Sequence, residues 1–227
     1  MSKSRTVRVW ASITAIDIGE LVEIAERLED AGVDGIHVDI ADGVFVPDLT
    51  FGSRVVYALT SRLTLPVEAH LMVSRPDEQV RAVADAGTSR ACFHLEATRY
   101  PTRVAILARS LGVQAGLALN PASALDHLGY LGNAIDYLNI LTSEPDDAGE
   151  RFLPGMNERV QAARSTFGPE LHIEVDGGLS PVTVGPILEA GACDIVVGRS
   201  LLSAPDLRQE LQRLRAAAEV PEPRSVP

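Results

Sequence analysis

The chain has 227 residues, 46% hydrophobic and 22% charged, with a net charge of −11. This is enough apolar material for one sizeable core, and the acidic balance argues against a nucleic-acid partner, whose phosphates need basic residues. Lysine occurs once, at Lys3, against nineteen arginines, which removes Schiff-base aldolases and barrel decarboxylases that need a lysine at a strand end.

Along the chain, short β-branched and apolar runs alternate with segments of helical period. VRVWASI (7–13) predicts a strand and IGELVEIAERLEDAG (18–32) a helix. The same pairing follows in GIHVDI (35–40) with RVVYALTSRL (54–63), PVEAHLM (66–72) with DEQVRAVADAG (77–87), and ACFHLE (91–96) with TRVAILARSLG (102–112). QAGLAL (114–119) precedes a shorter helical stretch, SALDHLGYL (123–131), and IDYLNIL (135–141) precedes NERVQAARSTF (157–167). LHIEVD (171–176) with PVTVGPILEAG (181–191), and CDIVVG (193–198) with PDLRQELQRLRAAAE (205–219), complete the series.

Gly32, Gly87, Gly112 and Gly191 stand where left-handed helix ends are expected. Ser180 and Pro181 read as an N-cap followed by the first helical residue. Eight strand–helix units predict a (β/α)₈ TIM barrel, a single domain over 1–227 with 219–227 as a frayed tail. A doubly wound open sheet is the alternative, weakened because no GxGxxG follows the first strand. MSKSRTVR has no apolar signal segment and no run approaches the roughly 18 apolar residues of a membrane span, so a cytoplasmic protein with no membrane partner is expected. Cys92 and Cys193, both in apolar runs, are expected as buried thiols.

Barrel strands are buried on both faces, so polar residues near their C-terminal ends need a reason. His37 and Asp39 stand two apart and share one strand face. His70 ends the third strand and Asp176 the seventh. Two imidazoles and two carboxylates at one rim make a divalent metal site, with zinc the first choice and iron, manganese or cobalt acceptable. The alternative is that each is a satisfied polar residue beneath a loop. His94 and Glu96 end the fourth strand, as supports for that site or as plain packing.

ASITAID (11–17), HVDIADGVFVPDLTFG (37–52), HLMV (70–73), FHLEA (93–97), GLALNP (116–121) and EVDGG (174–178) together resemble the ribulose-phosphate 3-epimerase family, in order, from about residue 8 to 218. The resemblance implies a barrel of the ribulose-phosphate-binding type, with one divalent metal on His37, Asp39, His70 and Asp176. It makes Asp39 and Asp176 a general acid/base pair, and puts Ser12, His70 and Met72 against a sugar-phosphate substrate. It also implies a homo-oligomer. Epimerisation next to a ketone requires a proton taken from one face and returned to the other, and two carboxylates are the least apparatus for that.

The chain departs from the family's pattern at the phosphate end. After the sixth strand, a glycine-rich PGFGGQxF segment is replaced by EPDDAGERF (144–152). Pro145 and Phe152 keep the frame and Gly149 alone keeps the glycine cluster. Asp146, Asp147 and Glu150 would repel an anion, unless the loop is merely solvated. After the eighth strand stand Gly198 and Arg199; the arginine is expected either to bind phosphate or to pair with Asp146 or Asp147. Gly177 and Gly178 remain as expected phosphate contacts. Ala41 and Leu141 stand where the family carries methionines over the substrate, and Asp48 replaces an asparagine. The expected reaction is therefore C3 epimerisation of D-ribulose 5-phosphate, with a hexulose 6-phosphate as the alternative substrate and a non-catalytic metal- or sugar-binding barrel as a further alternative.

Overall fold

The strand Arg8–Ser12 (β1) pairs in parallel with both Gly35–Ala41 (β2) and Asp194–Val197 (β8), so the sheet closes on itself. The computed structural model describes residues 7–145 and 151–217. Between those strands run Val67–Met72 (β3), Arg90–His94 (β4), Gln114–Leu119 (β5), Tyr137–Leu141 (β6) and His172–Asp176 (β7), each bonded to its sequence neighbour. The helices are Leu21–Ala31 (α1), Ser53–Thr60 (α2), Pro76–Asp85 (α3), Pro101–Ser110 (α4), Met156–Phe167 (α5), Val184–Glu189 (α6), Arg199–Leu202 (α7) and Leu207–Ala216 (α8). This is the TIM barrel expected from the alternation of strand and helix. All strands being parallel, their C-terminal ends share one rim.

Gly32, Gly87, Gly112 and Gly191 all have positive φ, as expected. Several boundaries differ: α1 begins at Leu21 and not at Ile18, and β4 ends at His94, so that Glu96 lies in the 3₁₀ turn Leu95–Ala97 that follows and not in the strand. The helix expected to begin at Pro181 begins at Val184, and the N–H groups of Thr183 and Val184 ahead of it both bond to the Ser180 carbonyl. The stretch expected as a helix over 123–131 is a 3₁₀ turn, Leu128–Asn133, which contains Gly129 and Gly132, a residue type that weakens an α-helix.

The main core lies between sheet and helices. Val9, Ile36, Val38, Leu71, Phe93, Leu117, Leu138, Ile173 and Ile195 meet helical residues such as Leu28, Leu59, Val83, Ala108, Val160 and Ile187. Cys92 and Cys193 are buried free thiols, as expected.

The alternate set faces the barrel axis and is polar. Arg90 lies with NH2 3.0 Å from Glu174 and NH1 3.2 Å from Asp194, and its guanidinium carbon sits 4.2 Å from the Trp10 ring and 3.9 Å from the Tyr137 ring. Gly35 and Gly116 make room for the two rings: a Cβ on either would stand 2.2 Å from Trp10 or 2.3 Å from Tyr137. Glu68 and Glu174, both fully buried beside this one arginine, titrate far apart. Glu68 stays low, at about 2, because Arg90 and hydrogen bonds outweigh its burial. Glu174 is pushed to about 8 by burial and by the Glu68 charge.

Candidate metal and sugar site

The strand registers bring the rim residues together. Ser12 is level with His37, Asp39 with His70, and Leu141 with Asp176. His37 and His70 are fully buried, while Asp39 and Asp176 keep 11% and 18% of their side chains open to the cavity above. His37 Nε2 lies 3.1 Å from Asp39 Oδ1 and 3.5 Å from Asp176 Oδ2. His70 Nδ1 lies 3.0 Å from the same Asp39 oxygen and 3.5 Å from the same Asp176 oxygen. The two ring nitrogens are 3.3 Å apart.

These four donors fit a divalent ion. Tetrahedral bonds of about 2.0–2.2 Å to nitrogen and oxygen give ligand–ligand edges of about 3.3–3.6 Å, close to the separations present. The charges agree with the geometry. Burial pulls the imidazoles toward neutrality, yet the Asp39 and Asp176 carboxylates outweigh it, so His37 is raised well above its ordinary value and His70 to about 9. Burial likewise opposes ionisation of Asp39, but the two imidazoles hold it well below the carboxylate range. The cluster attracts positive charge at its centre.

Each imidazole is also held from behind. His37 Nδ1 is 3.2 Å from Glu68 Oε2. His70 Nε2 is 2.9 Å from His94 Nε2, and His94 Nδ1 is 3.2 Å from Glu96 Oε2. Glu96 is fixed in turn by Ser123 and by the Asn120 N–H. Phe45 lies against the His94 ring with 4.7 Å between centroids. His94 and Glu96 thus stand behind His70, where a carboxylate–imidazole chain orients a ligand.

Above the cluster opens a cavity of about 360 Å³, within the range of small-molecule sites. Ser12, His70, Met72, Gly177, Gly178, Gly198 and Arg199, the residues expected to meet substrate, all line it. Ala41 and Leu141 line its apolar side. Asp146, Asp147, Gly149 and Glu150, on which the acidic-loop reading turns, lie outside the described residues; Glu144 and Pro145, at the loop's start, line the cavity. That start is tied to β7: the Thr142 hydroxyl donates to the Asp176 and Gly177 carbonyls at 3.0 and 2.6 Å. Gly177 has φ +112°, and a Cβ there would meet Ser143 Oγ at 2.3 Å, so the close approach of the two loops requires glycine.

Sequence reasoning does not single out Thr14, Ser143 or Ser200, which also line the cavity. Thr14 donates its hydroxyl to Asp39 Oδ2, alongside Ser12 at 3.0 Å. The clue available was a hydroxyl two residues beyond Ser12, but Thr14 lies past the end of β1, where polar residues are ordinary.

A sequence profile of the ribulose-phosphate 3 epimerase family matches residues 8–202. The chain belongs to the ribulose-phosphate 3-epimerase family. It is 34% identical to the cytoplasmic isoform of ribulose-phosphate 3-epimerase from Oryza sativa subsp. japonica, covering 96% of this chain and 97% of that protein. It is 35% identical to the ribulose-phosphate 3-epimerase of Synechocystis sp., covering 97% of each. Among solved structures, 3-hexulose-6-phosphate synthase from Salmonella typhimurium superposes with a TM-score of 0.73 at 18% identity, over 93% of this chain and 98% of that one, a likeness of fold alone. The family is one of carbohydrate epimerases, and the chain is an isomerase of that kind. No helix among the described residues is long and apolar enough to cross a membrane.

Proposed function

We propose that the chain interconverts D-ribulose 5-phosphate and D-xylulose 5-phosphate, with His37, Asp39, His70 and Asp176 holding one divalent ion, zinc by preference. The observation that carries the reading is the pair of aspartates at the cavity floor, each with one oxygen turned to the imidazoles. When bound, the ion supplies Lewis acidity for the negative charge that develops on the ketose oxygens as C3 loses its proton.

The chain's own residues do the rest. One aspartate takes the C3 proton and the C–H electron pair passes into an enediolate. The opposite aspartate returns a proton to the other face of C3, giving the epimer. Running the reaction backwards exchanges their roles, and such proton transfer is worth about 10²–10⁴-fold. Ser12 and Thr14 hold Asp39 Oδ2, so the carboxylate keeps one orientation through the cycle. Met72 and Leu141 cover the carbon chain, and Gly177, Gly178, Gly198 and Arg199 take the phosphate, the arginine as a fixed cation.

A second reading, a hexulose 6-phosphate as substrate, is favoured by Ala41, whose short side chain lines the cavity. Proton NMR in D₂O separates the two. Metal-loaded protein is given D-ribulose 5-phosphate, D-fructose 6-phosphate or unphosphorylated D-fructose. Deuterium at C3 together with the epimer, from ribulose 5-phosphate, supports the first reading. Exchange only in the hexulose supports the second, and no exchange in any overturns both.

A further inference from the structure

Resting on the metal reading above, we propose that Tyr137, backed by Arg90, is a positioning residue for the metal ligand His37. It acts from inside the barrel, through Glu68. His37 can present a lone pair on Nε2 only if its hydrogen stays on Nδ1. That hydrogen points at Glu68 Oε2, 3.2 Å away. Glu68 is fully buried, so only protein groups can hold it. The Tyr137 hydroxyl donates to its other oxygen, Oε1, and the Arg90 guanidinium stands 3.7 Å from that same oxygen.

The aromatic pair fixes where that charge lies. Arg90 is sandwiched between Trp10 and Tyr137; NH2, the nitrogen nearest Glu68, also lies 3.0 Å from Glu174, and NH1 is directed at Asp194. Asn139 donates to the far oxygen of Glu174 at 2.8 Å. Gly35 and Gly116 leave the two rings their space. The inside of a TIM barrel is ordinarily filled by branched aliphatic residues, and apolar replacements of buried ion pairs are often as stable or more so. Here the interior instead carries an arginine and a tyrosine hydroxyl that converge on Glu68, the carboxylate that faces His37 Nδ1.

Tyr137→Phe tests this because it keeps the ring against Arg90 and removes only the hydroxyl. On purified full-length protein, zinc and cobalt dissociation constants are measured by chelator competition, together with the melting temperature of the metal-free protein. The expected result is a loss of about 10- to 100-fold in metal affinity, larger than any change in metal-free melting would produce. Glu68→Gln serves as the second variant. Its amide can turn a hydrogen toward His37 Nδ1 and leave the ring proton on Nε2, so it too is expected to lose affinity. Wild-type affinity in both variants, or lowered melting with unchanged affinity, overturns the proposal. A wild-type protein that binds neither metal overturns the metal reading and this inference with it, an outcome distinct from failure of the variants alone.

Discussion

His70 and His94 meet nitrogen to nitrogen, Nε2 to Nε2, at 2.9 Å. Two imidazoles bond at that distance only if one nitrogen carries the hydrogen and the other does not. Glu96, facing His94 Nδ1, draws the hydrogen of that ring to Nδ1, which leaves His94 Nε2 to accept from His70. His70 Nδ1, which faces Asp39 and Asp176, is then the nitrogen from which a bound divalent ion would displace the second proton. Burial and the neighbouring His70 charge lower His94 below its ordinary value, which keeps His94 the neutral, accepting ring of the pair. Replacing His94 with Phe keeps a ring beside Phe45 but removes the acceptor. Zinc affinity measured by chelator competition is expected to fall about 10- to 100-fold; an unchanged constant would count against the chain of tautomers.

The paired aspartates give a sharper expectation. Asp176→Asn, assayed at saturating metal, is expected to lose about 10²–10⁴-fold in turnover, the usual worth of positioned proton transfer. Asp39→Asn is expected to behave likewise. Deuterium incorporation at C3 is the decisive readout, since a variant that still washes in solvent deuterium retains the other half of the machinery. A barrel that only binds sugar would show no exchange before or after the change.

What the sequence disclosed follows from local pattern. His37 and Asp39 share a face because a strand repeats every two residues, and polar side chains at the ends of apolar runs mark the rim. The interior network was not legible. Arg90 stands one residue ahead of the apolar run 91–96 and reads as the end of a turn, though β4 begins with it. Glu68 and Glu174 are ordinary strand residues until closure of the barrel sets them around that arginine. Thr14 was hidden for the same reason: its partner, Asp39, is 25 positions away.

Arg90 carries a stability prediction of its own. Arg90→Met removes the arginine that reaches both Glu174 and Asp194 and stands near Glu68; His37 still faces Glu68, and Arg8, at the strand-start end, holds Asp194 at 2.5–2.8 Å. Breaking a buried pair from one side costs about 3–5 kcal/mol. Urea unfolding of the metal-free variant should show that loss. A loss below about 1 kcal/mol would mean that the carboxylates take up protons instead, at little cost.

Asp42 predicts an acid-sensitive link between two active-site loops. Its Oδ1 accepts from the Val44 and Phe45 N–H groups at 3.0 and 2.8 Å, and its Oδ2 from the Ser74 N–H and hydroxyl, both at 2.7 Å. Burial works to raise its pKa, but the backbone bonds from Phe45 and Ser74 outweigh it and hold the group well below its ordinary 3.8. A folded-state value below the unfolded one adds stability that is fully present above the unfolded value and is lost as pH falls through the folded one. Asp42→Asn, which cannot accept the same four donors, should therefore be less stable than wild type at pH 7. The gap should narrow steadily below about pH 4. Parallel denaturation series from pH 7 to pH 2.5 check this, and a gap that stays constant would show that the carboxylate charge is not what ties the loops.

The proposed phosphate grip makes Arg199 the residue to test. The residue lines the cavity beside Gly198 and Ser200, with Glu144 lining the same cavity. A hydrogen bond to a charged group is worth about 1.5–3 kcal/mol, so Arg199→Ala should raise KM for D-ribulose 5-phosphate roughly 10- to 150-fold. The turnover number should change far less, because the guanidinium acts away from C3 and binds ground and transition states alike. Exchange with an unphosphorylated ketose supplies the control: it should not respond to the substitution at all. If KM for the phosphate ester is likewise unmoved, Arg199 is a structural ion-pair partner, and the anion is held by the glycine backbone of Gly177, Gly178 and Gly198 without it.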